Sequence, residues 1–208
     1  MHTLARTIGF HIHRIEVGAE RRDLLDPDPP EVPAGYTTKI CTKTDLQPFV
    51  DTVPDFPPQF FEAAFGRGDE CAATFYDGNL VAFAFNSRVR TPVNSQIDVL
   101  IPEGFRYGYK SWTHQDHRRK NLSRMLGYVR QQGANRPYDE RGIWYIETHN
   151  FPSRLHTYRH PRVRSILMGY GGWFSFFGRC IPFNSRGAKW IGFEFVRNSD
   201  NRVRYYSP

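Results

Sequence analysis

The chain has 208 residues, 15% of them aromatic, and its 28 Lys and Arg against 21 Asp and Glu give a formal charge of +7. That aromatic content excludes pervasive disorder, and no run reaches the roughly 18 uncharged apolar residues of a membrane-crossing helix. Three widely spaced cysteines (Cys41, Cys71, Cys180) argue against a zinc knuckle or a disulfide framework, and Arg6, His11, His13 and Arg14 interrupt the early apolar segment, so a soluble cytoplasmic protein without a secretory leader is expected.

Residues 1–34 read as an N-terminal extension. Thr7 to Val17 alternates as a strand, and the DPDPPEVP run that follows cannot continue a sheet or a helix, because proline fixes φ and removes a donor. The main domain, 35–208, opens with a strand over Tyr36–Thr42. Thr44 is the expected cap of a short helix, the PDFPP segment breaks it, and a second helix covers Gln59–Phe65. Glu70–Tyr76 and Leu80–Arg88 flank Asp77-Gly78-Asn79, a hairpin signal. Ile97–Ile101 is a short apolar run, and Phe105–Thr113 has aromatic and β-branched strand character. Asn121–Gln132 is the strongest helix, with Leu122, Met125, Leu126 and Val129 on one face and Gly133 as its stop. Gly142–Thr148 reads as a buried strand. Ser153–Tyr158 and Val163–Met168 read as helical pieces broken at Pro161, and Trp173–Phe183 and Lys189–Arg197 as two antiparallel aromatic strands. The fold class expected is α/β, with a mixed central sheet of about seven strands flanked by about four helices.

The positive charge favours anionic partners, and it is clustered. Arg118, Arg119, Lys120 and Arg124 form one group, and Arg154, Arg159, Arg162 and Arg164 another, each after an expected strand. In the first, WTHQDHRRKNLSRML over 112–126, a strand ends, a short basic loop follows and an amphipathic helix begins. A helix N-terminus placed there exposes unpaired N–H groups and the positive end of the helix dipole, which suits phosphate.

This segment resembles the GCN5-related N-acetyltransferase (GNAT) superfamily, whose strand–loop–helix carries Arg/Gln-x-x-Gly-x-Gly/Ala. Arg118 takes the first position, Asn121 stands at the first glycine and Ser123 at the small residue. Asn for Gly is a departure, tolerable because Asn enters left-handed conformations more readily than other non-glycine residues. After the next strand, Asn150, Ser153, Tyr158 and then Gly169-Tyr170 resemble the family's second pattern, with residues 159–168 as an insertion or an extended helix. The last two strands resemble its C-terminal hairpin.

The resemblance implies direct transfer of an acyl group from acetyl-CoA or another acyl-CoA to a primary amine on a small molecule or a polypeptide, without a metal. It implies that backbone amides around Arg118, Arg119, Lys120, Asn121, Leu122 and Ser123 hold the pyrophosphate, and that a main-chain group near Thr113 meets the pantetheine and the acyl carbonyl. Asn150 stands with the pantetheine amides or equally caps a helix, and Ser153 is a further coenzyme-binding position. Tyr158 is the candidate general acid, since a phenol near pKa 10 can protonate a thiolate whose acid lies near 8.5; its alternative is a Tyr that packs its ring and wets its hydroxyl. The strand before the loop lacks the Glu that many relatives use as base. Glu147, with His149 beside it, is the replacement, unless it pairs with a nearby arginine.

Other constellations carry less. His11 and His13 alternate on a strand without a third ligand, and His156 and His160 lack the Glu of a zinc-protease helix. Phe56, Phe60, Phe61, Phe65, Trp173 and Phe174 would suit a ring-bearing acceptor or fill a core. Two rivals are a non-catalytic basic nucleic-acid-binding module and a GNAT fold without activity; a homodimer is left open.

Overall fold

The computed structural model describes residues 8–19, 29–54, 56–132, 141–150 and 164–198. Among them, in chain order, are β1 (Ile8–Ala19), β2 (Tyr36–Cys41), α1 (Lys43–Leu46), α2 (Pro58–Gly66), β3 (Glu70–Tyr76), β4 (Asn79–Ser87), β5 (Thr91–Pro92), β6 (Ile97–Leu100), β7 (Phe105–Thr113), α3 (Leu122–Gln132), β8 (Arg141–Glu147), β9 (Arg164–Phe176), β10 (Arg179–Asn184), α4 (Arg186–Ile191) and β11 (Glu194–Arg197). The larger sheet has eight strands in the order β10-β9-β1-β8-β7-β4-β3-β2, mostly antiparallel with β7 and β8 parallel, and β11-β6-β5 form a smaller one. No helix among the described residues is long and apolar enough to cross a membrane.

The chain divides into two units. Unit I comprises Met1–Leu24, Arg88–Tyr107 and Arg141–Pro208, and unit II comprises Leu25–Ser87 and Gly108–Glu140.

In unit II, β3 and β4 are joined at Asp77 and Gly78, whose φ values of 47° and 76° are the left-handed pair a two-residue hairpin needs. Alternation then sorts their side chains. Phe83 and Phe85 point to one face, where with Cys71, Ala73, Leu46, Phe56 and Phe61 they form a buried core under α1 and α2. Ala72, Ala82 and Ala84 line the other face, where their small side chains admit Leu122 and Leu126 of α3. Each buried Phe contributes about 2–3 kcal/mol of transfer free energy. The cap of α1 is Thr42 rather than Thr44: its hydroxyl accepts from the Asp45 N–H while the Asp45 carboxylate accepts from the Thr42 N–H. This reciprocal box satisfies two orphan donors, which Thr44 inside the turn cannot do.

In unit I, β1 pairs on both edges, with β8 (Ile15 opposite Tyr145) and with β9 (His13 opposite Gly171). The segment expected to be appended thus supplies an interior strand. Ile15 and Val17 are buried on its inner face, which explains why an N-terminal piece is held in the sheet. Residues 164–168, read as helical, open β9 instead; their backbone groups pair with Glu16–Ala19 of β1, a partner more than 140 positions away that local pattern cannot reveal. The run expected as one strand over 173–183 turns at Phe177-Gly178, and β9 and β10 form the hairpin. Lys189 lies in α4, which Ser185 caps and which ends at Gly192 with φ 77°. β11 pairs with β6, not with β10.

Candidate functional site

The β7–α3 connection lies within unit II. The His114 N–H donates to the Val81 carbonyl (2.9 Å), which ties the loop to β4. His114 then caps a short turn over Gln115–His117, its Nδ1 accepting from the Asp116 N–H. Beyond it, Arg119 and Asn121 both adopt left-handed backbone, with φ of 63° and 58°. The Asn at the first glycine position therefore occupies the conformation that glycine favours, and α3 starts one residue later.

This path leaves the N–H groups of Arg119, Lys120, Asn121, Leu122 and Ser123 without an acceptor among the described residues; the first helical bond runs from Met125 N–H to Asn121 O. Five adjacent donors at the start of an 11-residue helix are an anion-binding arrangement. The side chains are less free than the charge run suggests. Arg118 Nε donates to the Thr113 carbonyl (3.3 Å), and Asn121 Nδ2 to the Glu31 carbonyl (3.0 Å). Lys120 Nζ donates to the Tyr36 hydroxyl (2.9 Å), which lies 2.8 Å from His117 Nδ1. An ammonium only donates, so the Tyr36 hydroxyl accepts from it and passes its own proton toward His117. That bond needs a neutral imidazole, consistent with the lowering of the His117 pKa by loss of hydration, then by the Lys120 charge. Leu122 offers only its backbone, because its side chain is buried against β4. Ser123 is exposed.

Glu147 ends β8 in unit I, opposite His13 of β1. Among the described residues its ion-pair partner is His149: Glu147 Oε2 lies 3.0 Å from His149 Nε2, with both side chains partly in solvent. Together with Phe10, His11, Ile12, His13 and Thr148 they line a pocket of about 100 Å³. His13 is the unusual member. Its ring is 1% exposed, stacked among Tyr145, Trp173 and Phe195, and neither nitrogen has a hydrogen-bond partner. Burial, then the neighbouring imidazoles of His11 and His149, pushes its pKa down to about 4, so it is neutral at pH 7. His11 stacks on Trp173. No group of three or more His, Cys, Asp or Glu among the described residues is placed to hold a metal ion. The Asn150 N–H donates to the Glu147 carbonyl (2.9 Å) and closes the turn after β8.

Ser153, Tyr158, His156 and His160 lie outside the described residues, as does most of the second arginine cluster. Five of the six aromatics offered for an acceptor belong to core packing: Phe56 and Phe61 are buried in unit II with Phe60 and Phe65 packed on them, and Trp173 is buried in unit I; Phe174 is half-buried, in one row with Phe10 and Ile181. The choice between core and pocket needed the sheet faces, which composition does not assign.

Two features were not legible beforehand. Lys110, within β7, has φ 45°, which kinks the strand three residues before Thr113; a lysine gives no turn signal. Behind it in unit II, Asp69 is buried and accepts from the Tyr109 hydroxyl and from Arg67 Nη2 (2.6 Å), while Arg67 Nη2 also reaches the Tyr109 oxygen (3.0 Å). Burial, then the Asp69 charge, raises the Tyr109 pKa far above its ordinary value.

No family model matches this chain, and no curated protein matches it in sequence. Solved structures do match. A tandem GNAT protein from the clavulanic acid biosynthesis pathway aligns over 85% of this chain and 54% of its own, at 15% identity and a TM-score of 0.50. A Drosophila protein aligns over 84% and 55%, at 12% identity and a TM-score of 0.51. The chain spans about half the length of these two matches. The fold, a mixed sheet with β7 and β8 parallel and α3 between them in chain order, is thus similar to that of this tandem GNAT protein.

Proposed function

We propose that the chain is an N-acyltransferase that takes its acyl group from acetyl-CoA or another acyl-CoA and delivers it to a primary amine. The observation that carries this reading is the run of five unpartnered N–H groups from Arg119 to Ser123, placed after β7 in a GNAT fold. Those amides suit a pyrophosphate, and their donors are already oriented, so little ordering cost falls on binding. Arg118 and Lys120 add positive charge beside them, although each is tethered to the chain through one N–H.

In this reading acyl-CoA supplies an activated thioester. The Thr113 main chain stands with the acyl carbonyl, Asn150 with the pantetheine, and Ser153 with the coenzyme. Glu147 takes the proton of the acceptor ammonium, held in place by His149 at 3.0 Å, and Tyr158 returns a proton to the leaving thiolate. The acceptor is an amine on a small molecule or a polypeptide.

Calorimetry with free CoA and acetyl-CoA tests the donor half. Ser123→Asp sets a carboxylate beside the open amides without touching the core, and should weaken CoA binding at least about tenfold with an unchanged melting temperature. Wild-type protein that gives no heat with either ligand would remove the proposal. Tight oligonucleotide binding that falls steeply with salt, with no response to CoA, would replace it by the nucleic-acid reading. For the chemistry, Glu147→Gln should lower kcat most at low pH, read by mass spectrometry of acylated amines.

A further inference from the structure

We propose that the outer face of the β1–β9–β10 sheet in unit I rests on an anionic lipid surface, with the Phe177 turn entering its apolar layer.

Strand register defines the face. Phe10 of β1 stands opposite Phe174 of β9, which stands opposite Ile181 of β10. One row along, Phe176 stands opposite Arg179. On the other side of the Phe10 row, Ile12 shares a row with Phe183 across Gly172. The opposite face of the same strands carries His13 and Trp173 and is covered by Phe195. Among the described residues no such cover lies on the outer face: Phe10 is 74% exposed, Phe177 64% and Phe176 48%, and Ile12 and Ile181 are also exposed. A contiguous apolar surface across three strands is unusual for a chain that meets only water.

The turn gives a second, independent indication. Phe177 has φ 45° in a two-residue hairpin turn, a position that favours Asn or Gly because a Cβ crowds the backbone there. The Phe177 ring meets the neighbouring Phe176 ring edge-on at 4.5 Å but remains mostly in solvent, and a bulky ring kept at a strained, solvent-facing site points to use at the surface.

Charge selects the occupant. Unit I holds 18 Lys and Arg against 8 Asp and Glu, a net +10, whereas unit II holds 10 against 13, a net −3. The whole basic excess of the chain therefore belongs to the unit that bears the apolar face. A symmetric pairing would bring together two units of net +10 each, which opposes a second copy as the cover. Ile12 and Ile181 offer no plane for a base to stack on, which disfavours single-stranded nucleic acid. Aliphatic and phenyl groups with the exposed Arg179 beside Phe176, on a unit of net positive charge, suit acyl chains under acidic headgroups.

Co-sedimentation of the full chain with vesicles tests this. Vesicles of phosphatidylcholine with roughly one-third phosphatidylglycerol should bind the protein, and pure phosphatidylcholine should bind it at least about tenfold less. Phe177→Asn suits the turn, so it should fold at least as well as the parent and still lose most vesicle binding; Phe10→Ser together with Phe176→Ser should lose the remainder. Absence of binding to either vesicle overturns the proposal. So does vesicle binding that survives these substitutions, which would show charge alone at work. Dimerisation in sedimentation velocity that Phe177→Asn abolishes would assign the face to a second copy, and single-stranded oligonucleotide binding lost in the same variants would assign it to nucleic acid; each overturns the lipid reading.

Discussion

Two buried ionisable groups, Asp69 of unit II and His13 of unit I, are accommodated in opposite ways. In unit II, buried Asp69 has Arg67 and the Tyr109 hydroxyl placed on it. Unit I gives His13 no partner and instead holds it neutral among Tyr145, Trp173 and Phe195. A carboxylate cannot shed its charge at pH 7 without a large pKa rise, so it must be paired; an imidazole is already near the point of losing its proton and needs only burial. The two units should therefore fail differently, and substitutions can separate them.

The largest effect is expected in unit I, at backbone. Gly172 has φ 152°, and a Cβ there would fall on the His11 carbonyl oxygen of the adjacent strand. Gly172→Ala should cost more than about 4 kcal/mol or prevent folding, read by denaturant melts; a loss under about 1 kcal/mol would mean that β1 and β9 separate easily. Next is the ion pair of unit II. Asp69→Ala leaves Arg67 and Tyr109 facing a void and should cost about 3–4 kcal/mol, whereas Tyr109→Phe should cost about 1 kcal/mol.

Acid then distinguishes the two solutions. His13 titrates near 6.5 when unfolded and near 4 when folded, so the unfolded chain binds the extra proton between those values. Its contribution is complete above about pH 6.5 and is lost as pH falls toward 4, a change of about 3 kcal/mol. His13→Phe should flatten that part of the stability–pH curve, and an unchanged acid slope would show that His13 finds a hydrogen bond when folded. The smallest expected change is a gain: nothing lies within 4 Å of a Cβ built on Gly127 of α3, so Gly127→Ala should stabilise unit II by about 0.5–1 kcal/mol. The same glycine-to-alanine exchange thus has opposite signs in the two units.

Much of unit II was legible from neighbouring residues. The Asp77-Gly78 turn, the apolar spacing of α3 and the basic loop before it all act over a few positions, and each element stands where its pattern set it. Asn121 could be assigned a left-handed backbone because its side chain tolerates one; Arg119, which shares that conformation, could not. Unit I was less legible. Residues 164–168 carry no helix-breaking residue, and only pairing with β1 makes them a strand. Lys120 looked like a free cation until the fold brought Tyr36, 84 positions away, within 2.9 Å of it.

The amino-acid sequence alone settled the turns, the principal helix, the strand–loop–helix motif and the basic excess, since dihedral preference, capping and side-chain period operate within a turn or two of chain. Tertiary structure decided that β1 is an interior strand, that three separate stretches of chain with a joint charge of +10 form one unit, and that His13 lies in the core while Phe10, three residues before it, faces out. Those outcomes depend on which distant strand buries which face, a competition among long-range contacts that no local pattern can rank.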